Sequence, residues 1–347
     1  MQLGLHLAFS GANLTIPVAL VQRAEQLGYS TVWAAESYGS DAMTPLAYLA
    51  GQTQHIRLGT GVAHFAARTP ASAAMTYGSL DQLAGAGRVI AGLGMSGPQI
   101  VEGWYGVPWG KPYHTVKDYV AILRKVFRRE APVAHDGRAI ALPTTGEGAL
   151  GIGKPVKSIL HMNAQMPIML GTSTETMVRL TSEIADGWLA PLHFIPSSMQ
   201  RYRPHLDEGF ARRDKGLGSS FEIHATVPLA LTNDVSAGLR RMQQAVAFYA
   251  GRMGSGEINF YNGMMARQGY PEAAARVLEL SLAGHLDEAR DSVPLEYCDD
   301  IALIGPPARL AERYRAWEEC GVTGLALLTT ERAAVEAMAE IAGTARP

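Results

Sequence analysis

Arg88-Val-Ile-Ala-Gly92-Leu-Gly94-Met-Ser-Gly97-Pro98 carries an apolar strand straight into a turn with three glycines. The glycine spacing matches the dinucleotide pattern GxGxxG, in which bare backbone approaches a pyrophosphate at a helix N-terminus. Its place in the chain argues against that use. Three strand–helix units precede it, so it is not the first βαβ turn. The acid about twenty residues on, Asp118, falls inside a helical pattern and not at a strand end. The alternative is a fourth strand ending in a glycine turn, with Pro98 opening a short helix. Such a turn can receive a flat ring at a barrel mouth, or it can be turn chemistry alone.

Working outward from that stretch, strands and helices alternate. Strands are predicted at Leu3 to Phe9, Ser30 to Ala35, Ile56 to Ala63, Arg88 to Leu93, Pro167 to Leu170, Asp186 to Ala190, Ile223 to Leu231 and Gly324 to Leu328. Helices are predicted from Pro17 to a stop at Gly28, and over Pro45 to Thr53, Ala71 to Leu83 and Val116 to Arg128. Strict alternation implies parallel pairing with right-handed crossovers. About eight units close into an α/β (β/α)8 TIM barrel, with an open doubly wound sheet as the other solution. No Pro-, Gly- and Ser-rich linker interrupts the 347 residues, so one domain is expected. Two segments, about 131–165 and 248–292, exceed normal loop length and are read as lid or substrate wall, or as inert excursions.

Composition narrows the function. With 47% hydrophobic and 18% charged residues and a net charge of −2, no basic field points to nucleic acid. The cluster Arg124, Lys125, Arg128 and Arg129 reads as a solvated helix face. Cys298 and Cys320 make neither a disulfide framework nor a zinc site. The N-terminus lacks a basic leader and no apolar run suits a bilayer, so a cytoplasmic protein without a membrane partner is expected. Ten histidines include no HExxH, and GxSxG and GxxxxGK[ST] are missing. No metal site is read, and hydrolase and nucleotidase chemistry recede.

Chemistry-bearing residues collect at the predicted strand ends. Glu36 and Ser37 follow the second strand, where a carboxylate can serve acid/base work or cap a helix. Gly59-Thr-Gly61-Val62-Ala-His64 ends the third, and His64 is either a satisfied structural histidine or a proton carrier. Gly171-Thr172-Ser173-Thr174 follows the fifth and precedes a helix, which makes an anion site or a plain cap.

Five stretches together resemble the luciferase-like family of flavin and deazaflavin oxidoreductases. They are Thr31-Val-Trp-Ala-Ala-Glu-Ser-Tyr-Gly-Ser-Asp-Ala, Arg57-Leu-Gly-Thr-Gly-Val, Ala67-Arg-Thr-Pro-Ala, Gly92-Leu-Gly-Met-Ser-Gly-Pro-Gln-Ile-Val-Glu-Gly-Trp and Ala185-Asp-Gly-Trp-Leu. The fourth resembles the branch that uses coenzyme F420. The resemblance implies a luciferase-like barrel with insertions, a coenzyme at its C-terminal mouth and a homodimer. It implies a non-proline cis peptide at Gly61–Val62 forming a bulge behind the ring. It implies ring contacts from Gly94, Ser96, Gly97 and Pro98, and a phosphate on Gly171, Thr172 and Ser173. Relatives often carry an acid and then a histidine after the second strand. Here Ser37 stands in the histidine's place, so Glu36 or the nearby His64 is expected to handle the proton. Phe9, Trp104, Tyr105, Trp109 and Trp188 are read as shaping the substrate cavity or as core, and Arg68, Lys111 and Lys154 are expected to meet the glutamyl tail of F420. The implied activity is hydride transfer between F420 and a small organic substrate. An FMN-dependent two-component monooxygenase and a non-catalytic flavin-binding protein are the alternatives.

Overall fold

The computed structural model describes all residues except 9, 255–257 and 345–347. Eight parallel strands close on themselves: β1 (Gln2–His6), β2 (Thr31–Ala34), β3 (Arg57–Thr60), β4 (Val89–Gly94), β5 (Ile168–Gly171), β6 (Gly187–Ala190), β7 (Glu222–Leu231) and β8 (Gly324–Leu328). Each pairs with its sequence neighbours, and β1 pairs with β8, with Gln2 opposite Gly324, to shut the barrel. All eight predicted strands are present, within a few residues at their ends. The predicted first strand ran to Phe9, which lies outside the described residues.

The strands read clearly because both of their faces are covered. Every residue of β4 is buried, as expected for parallel strands packed on both sides. Outward side chains such as Leu58, Ala91, Ile168 and Leu325 join the helices in one large core. Inside the barrel, Trp33, Ile90, Met169, Leu189 and Ala326 form a separate plug. The helices start where local chemistry directs them. Thr69 accepts from the Ser72 N–H and Pro70 opens Pro70–Ala84, while Thr174 caps Glu175–Ile184 from the Met177 N–H. Gly28, at φ +81°, ends the first helix as expected.

Two departures from the sequence reading matter. A short strand, Leu303–Gly305, pairs with Leu229 to Leu231 of β7 and was not anticipated. The two long segments also differ in position. Residues 131–165 form a small antiparallel hairpin, His135–Asp136 with Ala141–Leu142, laid on the outer helices. Asp118, on the helix Pro112–Arg128, accepts from the Ala139 and Ile140 N–H groups and holds it there. None of these residues reaches the barrel mouth cavity, so the lid reading fails for this segment. The second segment is helical (within Val235–Arg252, then Phe260–Arg267, Pro271–Leu282 and Leu286–Asp291) and does reach it. Its helices pack around an apolar core of their own, including Val246, Met265, Val277, Tyr297 and Ile301. No described helix is long and apolar enough to cross a membrane.

Candidate active site at the barrel mouth

A cavity of about 590 Å³ opens at the C-terminal ends of the strands. β3 breaks off at Thr60, and the Gly61–Val62 peptide is cis, as the resemblance implied. Ala63 and His64 then resume pairing, opposite Leu93 and Gly94. Thr60 closes the gap with its side chain. Its hydroxyl donates to the Gly92 carbonyl (2.5 Å) and accepts from the Gly92 N–H (3.0 Å) and the Tyr77 hydroxyl (2.7 Å).

The bulge explains the glycines on the neighbouring strands. A methyl group built at Gly94 would stand 2.6 Å from Val62 Cγ2, and one at Gly171 would stand 2.8 Å from Val62 Cγ1. The Val62 side chain therefore occupies the space that both glycines leave free. Their bareness makes room for the bulge. Gly94→Ala should accordingly cost about 1–3 kcal/mol by overpacking, read from chemical denaturation, and should narrow the cavity, because the open side of Val62 is the cavity itself.

His6, which the sequence reading overlooked, props the bulge from below. The Ala8 N–H donates to its Nδ1 (3.0 Å), so Nδ1 carries no proton and Nε2–H donates to the Gly61 carbonyl (3.2 Å). Burial, partly countered by that bond, pushes the imidazole down to about 4, so it stays neutral and keeps this tautomer. Its only signal in the sequence was a histidine at the end of the first strand.

Glu36 and His64, expected as alternative proton carriers, lie side by side, joined by the His64 backbone N–H. The Glu36 carboxylate, 6% exposed, takes Arg68 Nη1 at 2.9 and 3.2 Å and the His64 backbone N–H at 2.9 Å. Arg68 also faces Asp41 at 3.6 Å. A carboxylate so engaged is a brace between the β2 and β3 ends rather than a free base. His64 is also buried, and its Nδ1 has no partner among the described residues. Its ring meets Tyr105 edge-on at 5.7 Å. Burial, partly offset by Glu36, holds this imidazole below its ordinary value.

The fourth-strand turn borders the same cavity through Met95, Ser96 and Gly97. Ser96 sits at φ +62°, a left-handed conformation that non-glycine residues rarely take and that clusters at functional sites. Pro98 begins the helix Pro98–Gly103 but does not itself line the cavity. At the fifth-strand turn, Gly171, Thr172, Ser173 and Thr174 all line it. This turn is pinned from behind, because Trp188 Nε1–H donates to the Thr172 carbonyl (2.9 Å) and the Tyr202 hydroxyl to that of Ser173 (3.0 Å). The Thr181 hydroxyl donates to the Met177 carbonyl, so the Thr172 hydroxyl must donate to Thr181 Oγ1 (2.9 Å). Its proton is spent, which leaves backbone N–H groups and Ser173 as donors to an anion.

The aromatic residues sort themselves. Trp109 lines the cavity. Trp188 is fully buried in the main core against Phe194 and Tyr202, and Trp104 is 60% exposed; neither shapes the cavity. Phe9 lies outside the described residues. The wall comes from the segment at 248–292 that was read as a lid or substrate wall, through Tyr249, Met253, Phe260, Tyr261 and Met264, and the floor is Trp33 with His224 at 5.4 Å. Beneath the floor, His224 Nε2–H donates to Glu222 (2.8 Å), which also binds Arg57. Burial would raise the Glu222 carboxyl, but those two partners outweigh it and hold it at about 2. Arg68, Lys111 and Lys154 do not line the cavity. Arg201 and Arg267 instead line an adjoining groove of about 280 Å³ that shares Met264.

Residues 6–324 match the model of the luciferase-like monooxygenase family. The chain belongs to that family. It is 43% identical over 326 residues, 93% of each chain, to a Mycobacterium tuberculosis protein carrying the provisional name coenzyme F420-dependent oxidoreductase. Among solved structures it resembles the coenzyme F420-dependent tetrahydromethanopterin reductase of Methanopyrus kandleri, with a TM-score of 0.80, 20% identity and 98% and 97% of the two chains covered. It also resembles an F420-dependent secondary alcohol dehydrogenase in complex with an F420–acetone adduct, with a TM-score of 0.73, 15% identity and 100% and 99% covered. At these identities the two structures show the luciferase-like barrel alone.

Proposed function

We propose that this family member is an oxidoreductase that moves a hydride between coenzyme F420 and a small organic substrate. The observation that carries the reading is the wall at the ends of β3 to β5. There the Val62 bulge, seated in the space left by Gly94 and Gly171, borders a cavity that His64 also lines. The 43% identical relative, named for the same coenzyme, supports it.

The residues present suit such a coenzyme. Gly61 and Val62 would brace one face of its ring, and Gly94, Ser96 and Gly97 would border its edge. The turn Gly171, Thr172 and Ser173, at the start of a ten-residue helix, would take its phosphate through N–H groups. The Arg201 and Arg267 groove offers the cations a glutamyl tail needs. Bound there, a deazaflavin supplies a ring carbon that gives or takes a hydride. The chain's own part is to hold that ring, to exclude water with the 249–264 wall, and to move the balancing proton at the His64 imidazole. Glu36 acts through His64 and Arg68 as a positioning residue.

The test is coenzyme affinity by calorimetry on the purified chain. F420 should bind at micromolar Kd or below, with FMN at least about tenfold weaker. The reverse order would return the chain to FMN-dependent monooxygenase chemistry.

A further inference from the structure

Four described residues other than glycine stand in the left-handed region, and three of them, Ala8, Ser96 and His193, follow β1, β4 and β6 at the barrel mouth. Ala8 and Ser96 line the cavity. His193, at φ +68°, does not, although its neighbours Pro191 and Leu192 do. The Phe194 N–H donates to the Pro191 carbonyl (3.0 Å) and closes a four-residue turn with His193 in third place. Glycine or asparagine is the usual occupant of a left-handed position there. A histidine kept against that preference points to a use for its ring.

The turn sends its side chains three ways. Leu192 lines the cavity, and Phe194 packs into the main core against Trp188 at 5.7 Å. The buried His193 imidazole enters the helical segment after β7. There it meets Tyr249 at 5.4 Å, Tyr261 at 5.8 Å and Tyr297 at 6.3 Å, each edge-on. The three tyrosines come from three helices, Val235–Arg252, Phe260–Arg267 and Leu295–Asp300. Edge-to-face contacts at such spacings are attractive and directional. The backbone is tied to the same segment. Gln268 Nε2–H donates to the His193 carbonyl (2.9 Å), and Gln268 Oε1 accepts from the Tyr297 hydroxyl (3.0 Å). Tyr249 and Tyr261 are half-buried and 4.8 Å apart, and both line the cavity as well as touching His193.

We propose that His193 is a positioning residue that sets how far the tyrosine wall stands from the strand ends, and thereby how wide a reactant the cavity accepts. The proposal rests on the barrel mouth being the reactant site, and not on which coenzyme sits there. A ring packed behind Tyr249 and Tyr261 denies them room to withdraw, because protein interiors hold few voids. With the ring removed, the two phenols can relax into the vacated volume. The cavity then widens on the β7 side, while the bulge side at β3 to β5 keeps its shape. His193 itself touches no reactant and acts only through the tyrosines.

His193→Gly and His193→Asn test this, because both residues accept a positive φ and both remove the imidazole. The probes are benzyl alcohol, 2-naphthalenemethanol and 9-anthracenemethanol, which carry one, two and three fused rings. Each is titrated calorimetrically into coenzyme-free and F420-loaded protein. The affinity ratio of the three-ring to the one-ring probe should rise at least about fivefold, with F420 affinity held within about twofold. In crystals of the variants, the Tyr249 and Tyr261 rings should have moved back toward the vacated site. Gln268→Leu, which keeps the imidazole and cuts its tether, should shift the ratio in the same sense by a smaller factor. Unmoved tyrosine rings, or an unchanged ratio, overturn the proposal. So does a common loss of affinity for F420 and all probes, which would make His193 a prop of the fold alone. If neither His193 variant folds, Gln268→Leu decides by the same ratio and the same ring positions. Failure of F420 to bind the unaltered protein sinks the preceding reading, yet the coenzyme-free ratios still decide this one.

Discussion

Arg68→Met should destabilise the protein by about 3–5 kcal/mol in chemical denaturation, the largest loss expected from a single side chain at this site. The side chains of Glu36 and Arg68 are 3% and 20% exposed, so the pair is screened little by water. Removing the guanidinium strands a buried carboxylate whose remaining bond is to the His64 N–H. Removing both charges, as in Glu36→Gln with Arg68→Met, should recover most of the loss, because the penalty comes from the unpaired charge and not from the missing attraction. A double variant no more stable than Arg68→Met alone would show that the ion pair holds the β2 and β3 ends by more than charge balance.

His64→Ala should lower turnover by about 10²–10⁴-fold while changing F420 affinity by no more than about twofold. On the proposed function the ring carries the proton, whereas the segment is held by backbone and by Glu36, which alanine leaves in place. The direction of the His64 shift sets the pH profile. Burial lowers its pKa, so near neutral pH the imidazole is mostly unprotonated. Substrate oxidation, which needs a base, should rise with pH through this pKa and level off above it. Substrate reduction, which needs the acid form, should fall over the same range. The alanine variant should lose that limb in both directions. A profile unchanged by the substitution would remove His64 from the chemistry.

The barrel was legible because its strands are continuous apolar runs bounded by helix signals, as Val89–Gly94 and Gly324–Leu328 show. Leu303–Gly305 escaped because three residues before a Pro-Pro pair resemble a helix entry more than a strand. At the site, backbone-dependent features were readable. The glycine turns and the strand-end positions of Glu36 and His64 fall in short local motifs, whereas the cis bond was expected only from the family resemblance. Pairings across the ring were not readable. Nothing near Gly94 in the sequence points to Val62, and nothing in Leu3 to Phe9 marks His6 as the prop under Gly61. Inside a closed barrel, inward and outward residues are both apolar, so periodicity hides Trp33 and His224. Which long segment folds over the mouth depends on anchors such as Asp118, whose partners lie some twenty residues away.

The helical segment after β7 has its own apolar core, distinct from the plug inside the barrel and from the layer around it. Tyr249, Phe260 and Met264 line the cavity outside that core, so substitutions there should reshape the wall while the core's packing stays in place. An ancestral protein built this way could have exchanged one reactant for another while inheriting its redox half intact. Directed evolution toward new ligands should find its tolerant positions in that segment and its lethal ones between residues 59 and 94.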